Sequence, residues 1–226
     1  MIHHQVDQAT PEWKALRAGI PTASLFHRIL TPKTLKPSAQ ADDYMNWLLA
    51  EWVLGKPLDS IQTEWMENGT NMEPEAAFSY AFERNCEPEL AGFFTTDDGL
   101  IGASPDRLIG SDGLLEIKCP APQTHVAYMR GNGVDEKYIS QLQGQMWVCE
   151  RAWVDIQSYA PGFPTVIVRI PRDENYIAIL SKTIRAFAAR MVEERADFTE
   201  RFGNFAPARK LTLDDVEFID GQCVEG

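Results

Sequence analysis

Apolar positions along this chain follow two periods, and the change from one to the other divides it into elements. Tyr44, Leu48 and Trp52 lie four apart, as do Met45, Leu49 and Val53, which stacks them along one side of a helix over 41–54. Gly55 ends that helix and Pro57 confirms the stop. Residues 174–202 contain neither Gly nor Pro and predict one long helix. Shorter helices are expected over 10–17, with Thr10 as N-cap and Pro11 at the first helical position, and over 23–30, opened by Thr22-Ala23-Ser24. A further helix is expected from Glu73 to Arg84, with Pro74 in its first turn and Thr70-x-x-Glu73 readable as a capping box. Residues 136–148 make another.

Between these the pattern shortens to strands. Residues 90–95, 100–103, 107–109 and 114–118 are apolar runs, separated by the turn signals Asp97-Asp98-Gly99 and Ser111-Asp112-Gly113 and interrupted by Ser104-Pro105. Cys119-Pro120-Ala121-Pro122 closes the last of them. Residues 152–159 and 165–170 read as two more strands around Pro161-Gly162. Helices, a strand meander, a helix, two strands and a helix imply an α/β fold with a central mixed sheet flanked by helices. The chain reads as a single domain over 1–226. A helical portion spans about 1–88, a sheet-centred core about 89–170, and a helix with an acidic tail about 171–226.

Composition excludes some classes. At 226 residues, 44% hydrophobic and 24% charged, the chain can bury a core without staples. No apolar run approaches membrane-spanning length, and the first residues lack a basic-then-apolar leader, so a cytoplasmic protein is expected. Cys86, Cys119, Cys149 and Cys223 form no CxxC pair, which argues against a zinc ribbon or a disulfide framework. A net charge of −12 argues, taken alone, against a nucleic-acid partner. Its distribution changes that picture. Residues 1–40 carry Lys14, Arg17, Arg28, Lys33 and Lys36 against Asp7 and Glu12, whereas 59–89 carry eight acids against Arg84. The stretch 214–226 has five acids and no base. A local basic groove can coexist with an acidic remainder.

The stretch with chemistry is Ser104-Pro105-Asp106 followed by Glu116-Ile117-Lys118. Glu116 and Lys118, two apart on a strand, share one face, while Leu115 and Ile117 take the other. The turn at 111–113 folds Asp106 back to within a residue or two of them. Two carboxylates so placed repel unless a cation joins them, and hard oxygen ligands suit Mg²⁺ or Mn²⁺ rather than zinc. A lysine on the same face can orient a water, accept its proton or offset growing negative charge. The same residues also make an ordinary solvated strand face with a turn-forming Asp.

Pro-Asp followed by Glu-x-Lys resembles the signature of the PD-(D/E)xK nucleases, whose core is restriction-endonuclease-like. Trp13 to Ser24, Gly69 to Glu73, Ser104 to Asp106 with Glu116 to Pro120, and Tyr138 to Trp147 together resemble the phage lambda exonuclease family, or YqaJ-like viral recombinases. Arg107 stands where that family usually has Gly.

The resemblance implies a Mg²⁺-dependent 5′→3′ exonuclease on double-stranded DNA ends, releasing mononucleotides and leaving 3′ single strands for phage-type recombination. Mn²⁺ would substitute, and two ions would sit in each active site. Asp106 and Glu116 would bind metal, with Asp106 shared between the ions, completed by the backbone carbonyl of Ile117 and, through water, by Glu73. Lys118 would act on the attacking water, and Gln141 would hold the scissile phosphate or a metal-bound water, supported by Tyr138. Arg17, Ser24 and Ser104 would hold a terminal 5′-phosphate, with Trp13 shaping the pocket. A homotrimeric ring around DNA, a single-strand annealing partner encoded alongside, and a phage or prophage origin in a bacterial host also follow from it. Another superfamily nuclease of RecB or structure-specific type, or a member that only binds, is the alternative. Lys33 and Lys36, in the Pro-rich loop 31–38, are read either as arching over a strand or as solvated. His27, His125 and Cys119 are read as structural.

Overall fold

A computed structural model describes residues 1–58, 64–131, 133 and 135–203, with side chains described outside 64–71. The elements in chain order are β1 (Ile2–His4), α1 (Pro11–Arg17), a 3₁₀ helix (Ala23–Arg28), α2 (Ala41–Leu54), α3 (Glu64–Arg84), β2 (Glu89–Leu90), β3 (Phe93–Thr95), β4 (Gly102–Ala103), β5 (Arg107–Ile109), β6 (Gly113–Lys118), α4 (Pro122–Gly131), a 3₁₀ turn (Glu136–Tyr138), α5 (Ile139–Val148), β7 (Trp153–Ser158), β8 (Val166–Pro171) and α6 (Glu174–Phe202). The main sheet is mixed, with strand order β2-β5-β6-β7-β8. Only β6 and β7 pair in parallel, because α4 and α5 carry the chain back between them. Helices cover both faces, as the strand and helix order predicted.

Both faces of the central strands are buried. Leu114, Val154 and Ile156 join Phe26, Leu48, Met146, Leu180 and Ile184 in the larger core, beneath the 3₁₀ helix, α2, α5 and α6. Leu115 and Ile117 face the other way and pack with Ala76 and Tyr80 of α3 and with Tyr159. Helix α3 is also tied to that face by a polar row of period two. Asp155 accepts from the Tyr80 hydroxyl at 2.8 Å, Gln157 donates to the Ala76 carbonyl at 2.9 Å, and the Tyr159 hydroxyl donates to Glu75 at 2.6 Å. Alternate residues of one strand meet successive turns of one helix.

Three expectations are corrected. Helix α3 begins at Glu64, not Glu73, so Thr70 and Glu73 lie inside it and the capping-box reading fails. Pro74 is interior; the backbone bond it removes is outweighed by the packing of the turns that follow. The run 90–95 is two strands in two sheets, broken at Gly92, whose φ is +67°. A side chain there would meet the His4 carbonyl at 2.6 Å, because β1 crosses at that point. Strand β1 and helix α4 were not foreseen. Strand β1 completes a small sheet of order β1-β3-β4, so the meander is divided between two sheets. The acidic stretch 214–226 lies outside the described residues. No described helix is long and apolar enough to cross a membrane.

Candidate active site

Strands β5 and β6 form a hairpin in which Arg107 faces Leu115. That register brings Asp106, just before β5, beside the middle of β6. Its Oδ2 accepts from the Ile117 backbone N–H at 2.5 Å. Gln8 holds the preceding turn by donating to the Pro105 carbonyl at 2.8 Å. Glu116 points from β6 toward α5 and is 3% exposed. Its Oε1 accepts from Lys118 Nζ at 2.5 Å and from Gln141 Nε2 at 2.6 Å, and its Oε2 from Gln145 Nε2 at 2.6 Å. Lys118 Nζ also lies 3.5 Å from Gln141 Oε1 and 4.8 Å from the centre of the Tyr138 ring.

Helix α5 supplies these groups because Tyr138, Gln141 and Gln145 share one of its faces. The helix sits close because Gly144 lets the Phe26 ring in; a Cβ there would be 2.6 Å from that ring. Gln145 was given no role by sequence reasoning, although its place four residues after Gln141 was the available signal. Its side-chain oxygen is buried without a partner among the described residues.

The charges are coupled. Burial, then the neighbouring Glu116 and Glu73 carboxylates, push the Asp106 pKa well above its ordinary value; Lys118 and the Ile117 N–H work the other way. Burial disfavours the Lys118 ammonium, yet the Glu116 and Asp106 carboxylates outweigh it and hold its pKa up to about 12. Lys118 is therefore a cation at neutral pH. Asp106 has no ion-pair partner among the described residues, whereas Glu116 has Lys118. Two crowded carboxylates with one ammonium between them, next to an orphaned amide oxygen, are an oxygen-donor set short of positive charge. They fit a hard divalent cation. Glu73 reaches the same neighbourhood from α3, but its Oε1 accepts from Arg107 Nη1 at 2.6 Å.

The expected phosphate pocket is only partly gathered. The Trp13 indole donates to Ser104 Oγ at 3.0 Å, and that hydroxyl donates to the Gly92 carbonyl at 2.8 Å. The Arg17 guanidinium stacks on Trp13, 4.0 Å from the ring centre. Ser24 is not a helix cap; Thr22 holds that position, and the two hydroxyls are 3.3 Å apart. Trp13, Lys14, Arg17, Thr22 and Lys56 line an open cleft of about 820 Å³. Burial lowers the Arg17 pKa, while the charges of Tyr44, Glu51 and Glu116 raise it, so the cleft lies within electrostatic reach of the carboxylates. The loop that carries Arg17 onward is pinned by buried Glu51, whose Oε2 accepts from the Gly19 N–H at 2.9 Å. Lys33 pairs with Glu136 at 3.0 Å on the surface. His125 is buried between Ser158 and the Pro164 carbonyl, as a structural residue would be.

Residues 12–152 match the family model described as the YqaJ-like viral recombinase domain. The fold resembles an alkaline exonuclease (LHK-Exo) from Laribacter hongkongensis, with a TM-score of 0.77 and 32% identity over 85% of this chain and 97% of that one. The same enzyme in complex with dAMP matches equally, with a TM-score of 0.77. A phage-related exonuclease from Haemophilus somnus 129PT shares the fold at 16% identity and a TM-score of 0.63, over 79% of this chain and 96% of that one. No curated protein matches the sequence.

Proposed function

Since the chain belongs to the YqaJ-like viral recombinase family and is homologous to an alkaline exonuclease, we propose that it is a Mg²⁺-dependent 5′→3′ exonuclease. Its substrate would be the ends of double-stranded DNA, released as mononucleotides. The observation that carries this reading is the Glu116 carboxylate, bracketed by Lys118, Gln141 and Gln145 beside Asp106. The dAMP complex of the relative supports a nucleotide-sized product.

Asp106, Glu116 and the Ile117 carbonyl would hold Mg²⁺, or Mn²⁺ in its place. When bound, the metal polarises a phosphoryl oxygen and acidifies a water. The chain's own residues do the positioning. Lys118 Nζ, charged at neutral pH, donates hydrogen bonds that orient the water and offset charge on the phosphate. Gln141 and Gln145 fix the Glu116 oxygens through their amide N–H groups. Tyr138 stacks against the Lys118 ammonium and keeps it over the site. Arg17, with Ser104 linked to it through Trp13, takes the end phosphate through planar charged donors, and Trp13 backs the guanidinium. A ring of three subunits would place basic cleft walls around DNA while the outside stays acidic. The 3′ strand would pass to a single-strand annealing partner.

The test compares linear duplexes that differ only in a 5′-phosphate or a 5′-hydroxyl. The native enzyme is expected to degrade the phosphorylated end at least about tenfold faster, since one charged hydrogen-bonded contact contributes on that scale. Arg17→Ala should erase most of that preference while Mg²⁺-dependent cutting persists. Indifference of the native enzyme to the end group, or internal cuts, would remove the end-directed assignment and favour an endonuclease on the same site.

A further inference from the structure

We infer that Arg107 is a positioning residue that clamps α3 to the Asp106 turn and withholds Glu73 from direct contact with a bound cation. This rests on the reading of Asp106 and Glu116 as cation ligands. One guanidinium nitrogen, Nη1, donates to Glu73 Oε1 at 2.6 Å and to the Asp106 backbone carbonyl at 2.7 Å. Arg107 is only 8% exposed, so its charge is held away from water by the strands and by α3. A desolvated guanidinium retains its carboxylate partner, because separation would leave a buried charge uncompensated.

The charges around the site then sort into two closed pairs and one open group. Lys118 is paired with Glu116 and Arg107 with Glu73, while among the described residues Asp106 accepts only from the Ile117 N–H. Asp106, with Glu116 beside it, is therefore the carboxylate left open to a cation. Glu73 acts through Arg107: it anchors the guanidinium that in turn fixes the Asp106 carbonyl. The bonds of β7 to Tyr80 and Ala76, and of Tyr159 just after it to Glu75, hold the helix still behind Glu73. The same carboxylate therefore serves as the far end of a brace rather than as a ligand.

The experiment is a double-mutant cycle on the full chain with Glu73→Gln, Arg107→Met and the two combined, read by Mn²⁺ calorimetry and by thermal melting. Glu73→Gln alone should weaken the Mn²⁺ Kd by no more than about fivefold, the through-space effect of leaving the Arg107 charge uncompensated and well short of the loss of a ligand. Arg107→Met should tighten Mn²⁺ binding by at least about threefold, because it frees a negative charge beside the site, and adding Glu73→Gln should cancel the gain. Arg107→Met should lower Tm by roughly 4–8 °C, and the double variant by little more. Loss of about tenfold or more in Mn²⁺ affinity from Glu73→Gln alone, or Tm losses that simply add, would overturn the inference. Asp106→Asn separates the two levels. If it leaves Mn²⁺ binding unchanged, the ligand assignment fails, and the melting cycle still decides whether the brace exists.

Discussion

Lys118→Ala is expected to fold, to bind Mn²⁺ and to have lost DNA cleavage by a factor of about 10³ or more in kcat. The expectation follows from what surrounds the ammonium. Its Nζ is 2.5 Å from Glu116 and 4.8 Å from the centre of the Tyr138 ring, so the ammonium is held in one place beside the carboxylates. Single-turnover cleavage of a labelled duplex measures the loss, and calorimetry checks that the ion site survives. The pH dependence has a definite sign. The folded pKa of Lys118 is raised to about 12, so its stabilising contribution is complete below the unfolded value near 10.5 and disappears only as pH rises through about 12. Changes between pH 7 and 9 therefore leave Lys118 charged. Asp106 behaves oppositely, since its pKa is raised by burial and by Glu116. A proton and a cation compete for its carboxylate, so divalent-ion affinity and cleavage should both fall as pH is lowered toward that raised value. Undiminished cleavage by Lys118→Ala would remove the lysine from the chemistry.

Asp155→Ala is expected to be strongly destabilising although it lies away from the site. Asp155 is fully buried on β7, accepts from the Tyr80 hydroxyl at 2.8 Å, and takes two bonds from Arg169 at 2.8 and 3.0 Å. Removing the carboxylate strands a buried hydroxyl and breaks a two-bond ion pair whose arginine also stacks on Trp153 at 3.6 Å. Arg169 is half exposed, so water recovers part of the loss. A cost of about 3 kcal/mol remains, or roughly 6–12 °C in Tm for a chain of this size. Because this contact ties α3 to the sheet, the variant should also loosen Glu73, and cleavage should fall more steeply with temperature than in the native protein. A Tm within about 2 °C of native would mean that α3 is held by its apolar contacts alone.

Periodicity explains which parts of this fold were legible. Helices α2 and α6 repeat their apolar face over several turns and carry plain stops, so their limits coincide with the expected ones. The β5–β6 hairpin was legible because a turn signal separates two apolar runs, and its register places Asp106 where the turn required. Three features were not legible because each depends on distant chain. Strand β1 exists only through its pairing with β3. Helix α3 runs through Pro74 because β7 holds its later turns. The break at Gly92 answers to β1 crossing beside it. Among the candidate residues, Asp106, Glu116, Lys118, Gln141 and Tyr138 come together, as do Trp13, Arg17 and Ser104. Ser24 makes no hydrogen bond to Trp13, Arg17 or Ser104 among the described residues; its hydroxyl lies beside that of Thr22. Gln145 carried a signal in its spacing from Gln141, and Arg107 one in standing where Gly is usual, but the partners of both appear only once the fold places them.

The central claim is end-directed, divalent-ion-dependent hydrolysis from the 5′ terminus. One linear duplex carrying different labels at its 5′ and 3′ termini, digested in Mg²⁺ beside a covalently closed circle, tests it most directly. The account predicts that the 5′ label appears as mononucleotide from the first time point, that the 3′ label stays in a shortening single strand, that the circle remains intact, and that EDTA stops all release. Early release of the 3′ label, or nicking of the circle, would contradict it.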